Sequence, residues 1–91
     1  MTADFDYNYD TDRPIAVDLR DGHVWVTLAD GRIIANPLEW HPWLAHATPR
    51  QRANVELDAF SAYWPDLDEG LEIQGMLLGI RPKTLETAHN L

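Results

Sequence analysis

Residues 15–36 read Ile15-Ala-Val-Asp-Leu-Arg20-Asp-Gly-His-Val-Trp25-Val-Thr-Leu-Ala-Asp30-Gly-Arg-Ile-Ile-Ala35-Asn36. Ile15, Val17 and Leu19 alternate with Ala16, Asp18 and Arg20, and successive side chains of a strand point to opposite faces. Asp21-Gly22 is a strong two-residue hairpin sequence. Beyond it, Val24, Val26 and Leu28 alternate with His23, Trp25 and Thr27. A two-residue turn at 21–22 pairs Leu19 with Val24, Val17 with Val26 and Ile15 with Leu28, so each apolar residue on one face meets another. Read the same way, Asp30-Gly31 pairs Leu28 with Ile33 and Val26 with Ala35. The stretch predicts a three-stranded antiparallel meander, with Trp25 and Ile34 on its second, part-covered face.

C-terminal to the meander, Pro37–Ala47 predicts a short helix at about 40–47, with Pro42 in its first turn. Thr48-Pro49 has the form of an N-cap followed by proline at the first helical position and opens a second helix. From 53 to 64 two periods compete. Ala53, Leu57, Phe60 and Trp64 form a helical stripe, whereas Val55, Leu57 and Ala59 alternate with Glu56 and Asp58 as in a strand. Strand at about 54–58, a turn, and strand at 62–64 is the favoured reading, and Trp64-Pro65 ends the element. Asp66–Gly70 is an acidic turn. Ile73, Met76, Leu77 and Ile80 predict a final amphipathic helix with Gly79 near its C-cap. Gly75 inside that helix costs about 1 kcal/mol against alanine.

Towards the N-terminus, Asp4, Asp6, Asp10 and Asp12 dominate an acidic segment. Residues 1–13 are expected to form a flexible tail, 14–82 a single domain and 83–91 a second flexible tail. Phe5, Tyr7 and Tyr9 fall on one side of an extended chain, so the alternative is an added strand or a peptide arm.

The chain has 91 residues, within the size of one domain, and its 45% hydrophobic and 24% charged residues are an ordinary globular balance. Fifteen acids against seven Lys and Arg give a net charge of −8, which opposes gripping nucleic acid by its phosphates. Cysteine is absent, which excludes disulfides, thiolate metal sites and a cysteine nucleophile. The first six residues lack the basic end and apolar stretch of a signal peptide, and Met76–Ile80 is far too short an apolar run to span a membrane. A cytoplasmic protein is the expectation.

The run of Leu28-Ala-Asp-Gly-Arg32, Pro37-Leu-Glu-Trp40, His46–Leu57 and Tyr63–Leu77, in that order, resembles a small bacterial family known as domain of unknown function 2442. The resemblance covers about residues 15–82. It implies a small α+β domain with a short meander, one or two helices, further strand and a final helix. Many members have glycines before the Trp-Pro pair, whereas this chain has Asp58-Ala-Phe-Ser-Ala62 there. The family has no agreed activity. Some members are encoded beside small toxin-like or otherwise uncharacterised partners. Others carry an added DNA-binding helix-turn-helix, for which this chain has no room. No catalytic residue is carried over.

Asp66, Asp68 and Glu69 are the densest carboxylate group. Glycine falls at the fifth place of that loop and leucine at the twelfth, so it is not a calcium loop. The plain structural reading is a turn in which Asp66 or Asp68 caps the last helix. His41 and His46 stand five apart and share a helix face poorly, so no metal site is expected. Ser61 is the sole serine and lacks a nucleophile elbow, and no phosphate loop exists. No cofactor is expected. Four tryptophans are a surplus for so small a core, and Trp is enriched as an interface anchor.

The expectation is therefore a small α+β domain, not an enzyme. It would act as an acidic protein-binding module, antitoxin-like or an accessory subunit, that contacts a basic partner through Trp43, Trp64, Asp66, Asp68 and Glu69. The alternatives are a DNA-linked regulator using Arg50 and Arg52, and a homo-oligomer joined through a sheet edge or Trp25.

Overall fold

A computed structural model describes residues 7–79. The expectations for residues 1–6, for Ile80 and for the tail at 83–91 lie outside the described residues.

β1 (Pro14–Arg20), β2 (His23–Leu28) and β3 (Ile33–Pro37) form the predicted antiparallel meander. The first hairpin closes on Asp21 and Gly22, both left-handed at φ 52° and 72°. Leu19 pairs with Val24 and Val17 with Val26, as the alternation requires. The expected Ile15–Leu28 pair does not form. The register steps from Pro14–Leu28 to Ala16–Thr27, which leaves Ile15 in a bulge, 51% exposed. Proline cannot donate to the ladder, and a bulge at the start of an edge strand accommodates it.

The second hairpin departs from the predicted register by one residue. Asp30-Gly31 is not a two-residue turn but the end of a three-residue loop. The Gly31 N–H donates to the Leu28 carbonyl at 2.9 Å, the Leu28 N–H donates to the Arg32 carbonyl at 2.8 Å, and Gly31 takes φ 96°. A tight turn followed by a left-handed glycine is the usual three-residue hairpin. It pairs Val26 with Ile34 and Val24 with Asn36, and a one-residue slip exchanges the two faces of a strand. Ile34 and Asn36 therefore join the face of Val24 and Val26. Ile33, 57% exposed, and Ala35 lie with Trp25 and Thr27 on the other.

A 3-10 turn (Leu38–Trp40) and α2 (Pro42–Ala45) follow in place of one helix over 40–47, and α3 (Pro49–Ala53) is the predicted second helix. Thr48 caps α3 as predicted. Its hydroxyl accepts from the Gln51 N–H at 3.1 Å, and the Gln51 side chain accepts from the Thr48 N–H at 2.9 Å. The ambiguous stretch is strand-turn-strand. β4 (Glu56–Leu57), β5 (Ser61–Trp64) and an unforeseen β6 (Glu69–Glu72) make a second antiparallel sheet in the order β4-β5-β6. α4 (Ile73–Leu77) comes last and is a single short turn of helix.

The core joins one face of each sheet. Val24, Val26 and Leu28 of β2 meet Leu44 of α2, Ala62 and Trp64 of β5, Leu71 of β6, and Ile73 and Met76 of α4. Residues 7–13, read from sequence as part of a flexible tail, are packed against this body. Asn8 caps α1 (Tyr9–Asp12), and the Tyr7 hydroxyl donates to the Ala59 carbonyl at 2.5 Å. Asp12 is buried and receives the Asn8 N–H and the Thr11 hydroxyl, each at 3.0 Å, and the Arg32 guanidinium. The Asn8 N–H, with the Thr11 hydroxyl and Arg32, holds the Asp12 carboxyl below the usual aspartate range against the opposing effect of burial.

Two outcomes follow. Ile33→Asp is expected to leave the urea midpoint nearly unchanged, whereas Ile34→Asp, which places a charge against the core, lowers it sharply. The reverse order would contradict the observed register. Asp12, whose folded pKa is depressed, contributes stability above its unfolded value of about 3.9, and this contribution is lost as pH falls through the folded value. Asp12→Asn is thus expected to lower stability at neutral pH and to make the acid limb of a stability–pH curve shallower below about pH 4. An acid limb identical to that of the wild type would show that Asp12 has no such role.

Candidate functional site

Residues 54–79 contain Glu56, Asp58, Asp66, Asp68, Glu69 and Glu72, six carboxylates, and no Lys, Arg or His. The second sheet sorts them. Ala62, Trp64 and Leu71 fill one face. Period-two alternation sends Glu56, Tyr63 and Glu72 to the other, where Glu56 pairs with Tyr63 across the ladder. Asp68 accepts from the Tyr63 hydroxyl at 2.8 Å, which pushes the phenol pKa up. Asp66 accepts from the Asn54 amide at 3.2 Å. Asp58 accepts the N–H groups of Phe60 and Ser61, each at 2.8 Å, and closes the β4–β5 turn. The Phe60 N–H in particular holds the Asp58 carboxyl below its ordinary value.

Among the described residues none of these six carboxylates forms an ion pair. The ion pairs join Arg20 to Asp18 and Asp21, and Arg32 to Asp12 and Asp30, all in the first hairpins and α1. The charge of the first sheet is largely answered within the fold. That of the second is not.

The predicted contact residues divide accordingly. Asp66 and Asp68 are exposed on the turn between β5 and β6, and Glu69 is exposed as the first residue of β6, paired with Trp64. They do not cap α4, because β6 intervenes and the α4 N-cap is Glu72, with no side-chain capping bond. Trp64 is fully buried, and its indole N–H donates to the Arg52 carbonyl at 3.0 Å. It cannot be a surface contact, since it is the largest side chain of the core. Trp43 is half-buried and meets the Trp64 ring edge-on at 5.6 Å. Trp25 lies on the second face of the first sheet beneath the Arg20 guanidinium, 4.1 Å from the ring centroid.

Sequence reasoning missed a second feature. Between β3 and the β6–α4 junction lies a cleft of about 220 Å³, lined by Asn36, His41, Leu71, Glu72, Gly75 and Met76 among others. His41 is 2% exposed, and neither ring nitrogen has a hydrogen-bond partner. Burial pushes its pKa down, so the ring is neutral at pH 7, with one donor and one acceptor. Trp43 packs on one side of it at 6.0 Å. Asn36 is also buried, at 5% exposure. The sequence signal for His41 was its place between Trp40 and Pro42-Trp43, in an apolar stretch where a histidine is drawn into the interior. Among the described residues, no three His, Asp or Glu side chains cluster as a metal would need.

Comparison with known proteins bears on the fold. The solution NMR structure of an uncharacterized protein from Chromobacterium violaceum is similar at 23% identity with a TM-score of 0.69, over 86% of this chain and 75% of that one. The crystal structure of a protein of unknown function from Rhodospirillum rubrum is similar at 25% identity with a TM-score of 0.67, over 82% of this chain and 95% of that one. The comparison with curated proteins found no match. The model of a family described as "Protein of unknown function (DUF2442)" matches residues 14–82, the segment that holds both sheets and the cleft, and the chain belongs to that family.

Proposed function

We propose that the chain is a non-catalytic protein-binding module whose acidic second sheet holds a basic partner protein, as an antitoxin-like or accessory subunit. One observation carries the reading: six carboxylates over residues 54–79 with no cation among them and no ion pair among the described residues. Unanswered charge concentrated in one part of the fold steers an oppositely charged partner and sets its register more than it adds raw affinity. Asp66, Asp68 and Glu69 are the leading contacts, and Glu56 and Glu72 add charge on the same sheet. Trp43 contributes through its exposed part.

DNA-linked regulation is disfavoured. Arg52 donates to the Leu44 carbonyl at 3.2 Å and to the Ala45 carbonyl at 2.5 Å, so it is occupied inside the fold. Self-association has its own support in Ile33, 57% exposed on the same face of the first sheet as the part-buried Trp25.

The test is recovery of partners from native lysate by the tagged chain and by a variant carrying Asp66→Lys, Asp68→Lys and Glu69→Lys. The wild type is expected to recover a basic protein in near-equal amount, and the variant to recover less than about a tenth as much, an effect that added salt weakens. Equal recovery by both would overturn the assignment. A concentration-dependent dimer in sedimentation, with no basic protein recovered, would favour self-association.

A further inference from the structure

Phe60 stands in the β4–β5 turn with its side chain in solvent, 60% exposed. The Tyr7 ring packs against it, with centroids 5.2 Å apart and planes inclined at 48°. Among the described residues, these two rings line a second cleft, of about 250 Å³, together with Glu72 at the end of β6 and Gln74 of α4. Both aromatic residues are held by groups other than their ring faces. The Tyr7 hydroxyl donates to the Ala59 carbonyl at 2.5 Å and to the Asp12 carbonyl at 3.2 Å, so it is engaged within the fold. The Phe60 N–H is bound by Asp58, and its carbonyl accepts from the Ile73 N–H at 2.9 Å. Glu72 and Gln74 are exposed, and Glu72 has no ion pair among the described residues. The surroundings are negative. Burial pushes the Tyr7 phenol pKa up, and the charges of Asp12 and Asp58 push it further against the opposing charge of Arg13. Arg13 is itself engaged elsewhere: its guanidinium lies 4.9 Å from the Tyr9 ring centroid and donates to the carbonyls of Tyr9 and Asp10.

We infer that this cleft receives a basic side chain, lysine or arginine, of the partner protein. The inference rests on the reading above and adds to the acidic turn a contact that reads more than charge. The face of an aromatic ring is the negative end of its quadrupole and attracts a cation. The Glu72 carboxylate attracts the same cation and repels an anion. A purely apolar side chain would suit the rings, but it would draw the carboxylate out of water with no charge to answer it. A basic side chain meets both demands, since its methylene stem lies on the rings while its charged head stays at the carboxylate. Glu72 also belongs to the acidic sheet, so the cleft continues that surface.

The experiment titrates the isotope-labelled full chain with N-acetyl-lysine N-methylamide, with its arginine counterpart and with its neutral norleucine counterpart, and follows the amide and aromatic ring signals. The two basic probes are expected to give saturable shifts at Tyr7, Phe60, Glu72 and Gln74, and the tighter of them identifies the partner's residue. The norleucine probe, which keeps the stem and lacks the charge, is expected to bind at least tenfold more weakly. Phe60→Leu keeps an apolar side chain but removes the ring, and Glu72→Gln keeps the shape but removes the charge. Each is expected to weaken the basic probes at least fivefold while leaving Tm nearly unchanged, because both side chains are exposed. Absence of shifts at these residues, equal binding of the norleucine probe, or wild-type binding by either variant would each overturn the inference. If the basic probes fail while charge reversal at 66, 68 and 69 still abolishes partner recovery, the cleft assignment falls and the acidic-surface reading stands. If the basic probes bind but no basic protein is recovered, the cleft is a site for an organic cation and the partner reading falls.

Discussion

The hydrogen bond from the Leu28 N–H to the Arg32 carbonyl, at 2.8 Å, fixes the register of β3, and most of the molecule depends on it. Gly31 makes it available by taking a left-handed conformation that a residue with a Cβ adopts only at a cost. With that register, Ile34 faces the core and Asn36 is drawn into the interior two residues later. One residue of slip would put Ala35 there and send Asn36 to solvent. The polar floor of the cleft is thus a consequence of loop length at 29–31.

The two sheets share one core but differ in charge. In the first, arginines lie beside aspartates that are near in sequence or brought near by the hairpins, and Asp12 is bound so fully that α1 is fastened to the body. In the second, Trp64 and Leu71 supply the packing and the opposite face is left acidic, with Tyr63 and Asp68 holding one another. Trp64 links the two halves: its ring fills the core, and its N–H meets the carbonyl of Arg52 at the end of α3. The exposed acids that follow it begin only two residues further on, at Asp66. A rigid anchor next to a charged turn suits a surface that presents charge in a fixed place.

Much of this was legible in the residues. Alternation at 15–28 and Asp21-Gly22 specified the first hairpin because both faces and the turn agreed. Thr48-Pro49 specified the start of α3 because capping is local chemistry. The second hairpin misled because Asp30-Gly31 serves two loop lengths, and only the hydrogen bonds of the closed loop distinguish them. β6 was hidden because Glu69-Gly-Leu-Glu72 has a single buried residue, too few for a period. Trp64 could not be placed inside or outside by type alone, since tryptophan serves core and interface equally. His41 was weighed only as a metal ligand, and its burial depends on elements distant in sequence.

The fold buries His41 and leaves neither of its ring nitrogens with a partner. The most direct measurement is the 15N chemical shifts of the His41 ring in the free protein at neutral pH. The expected result is a neutral imidazole with neither nitrogen bonded to another protein group. An imidazolium, or a ring nitrogen bonded to a group of the protein, would contradict it.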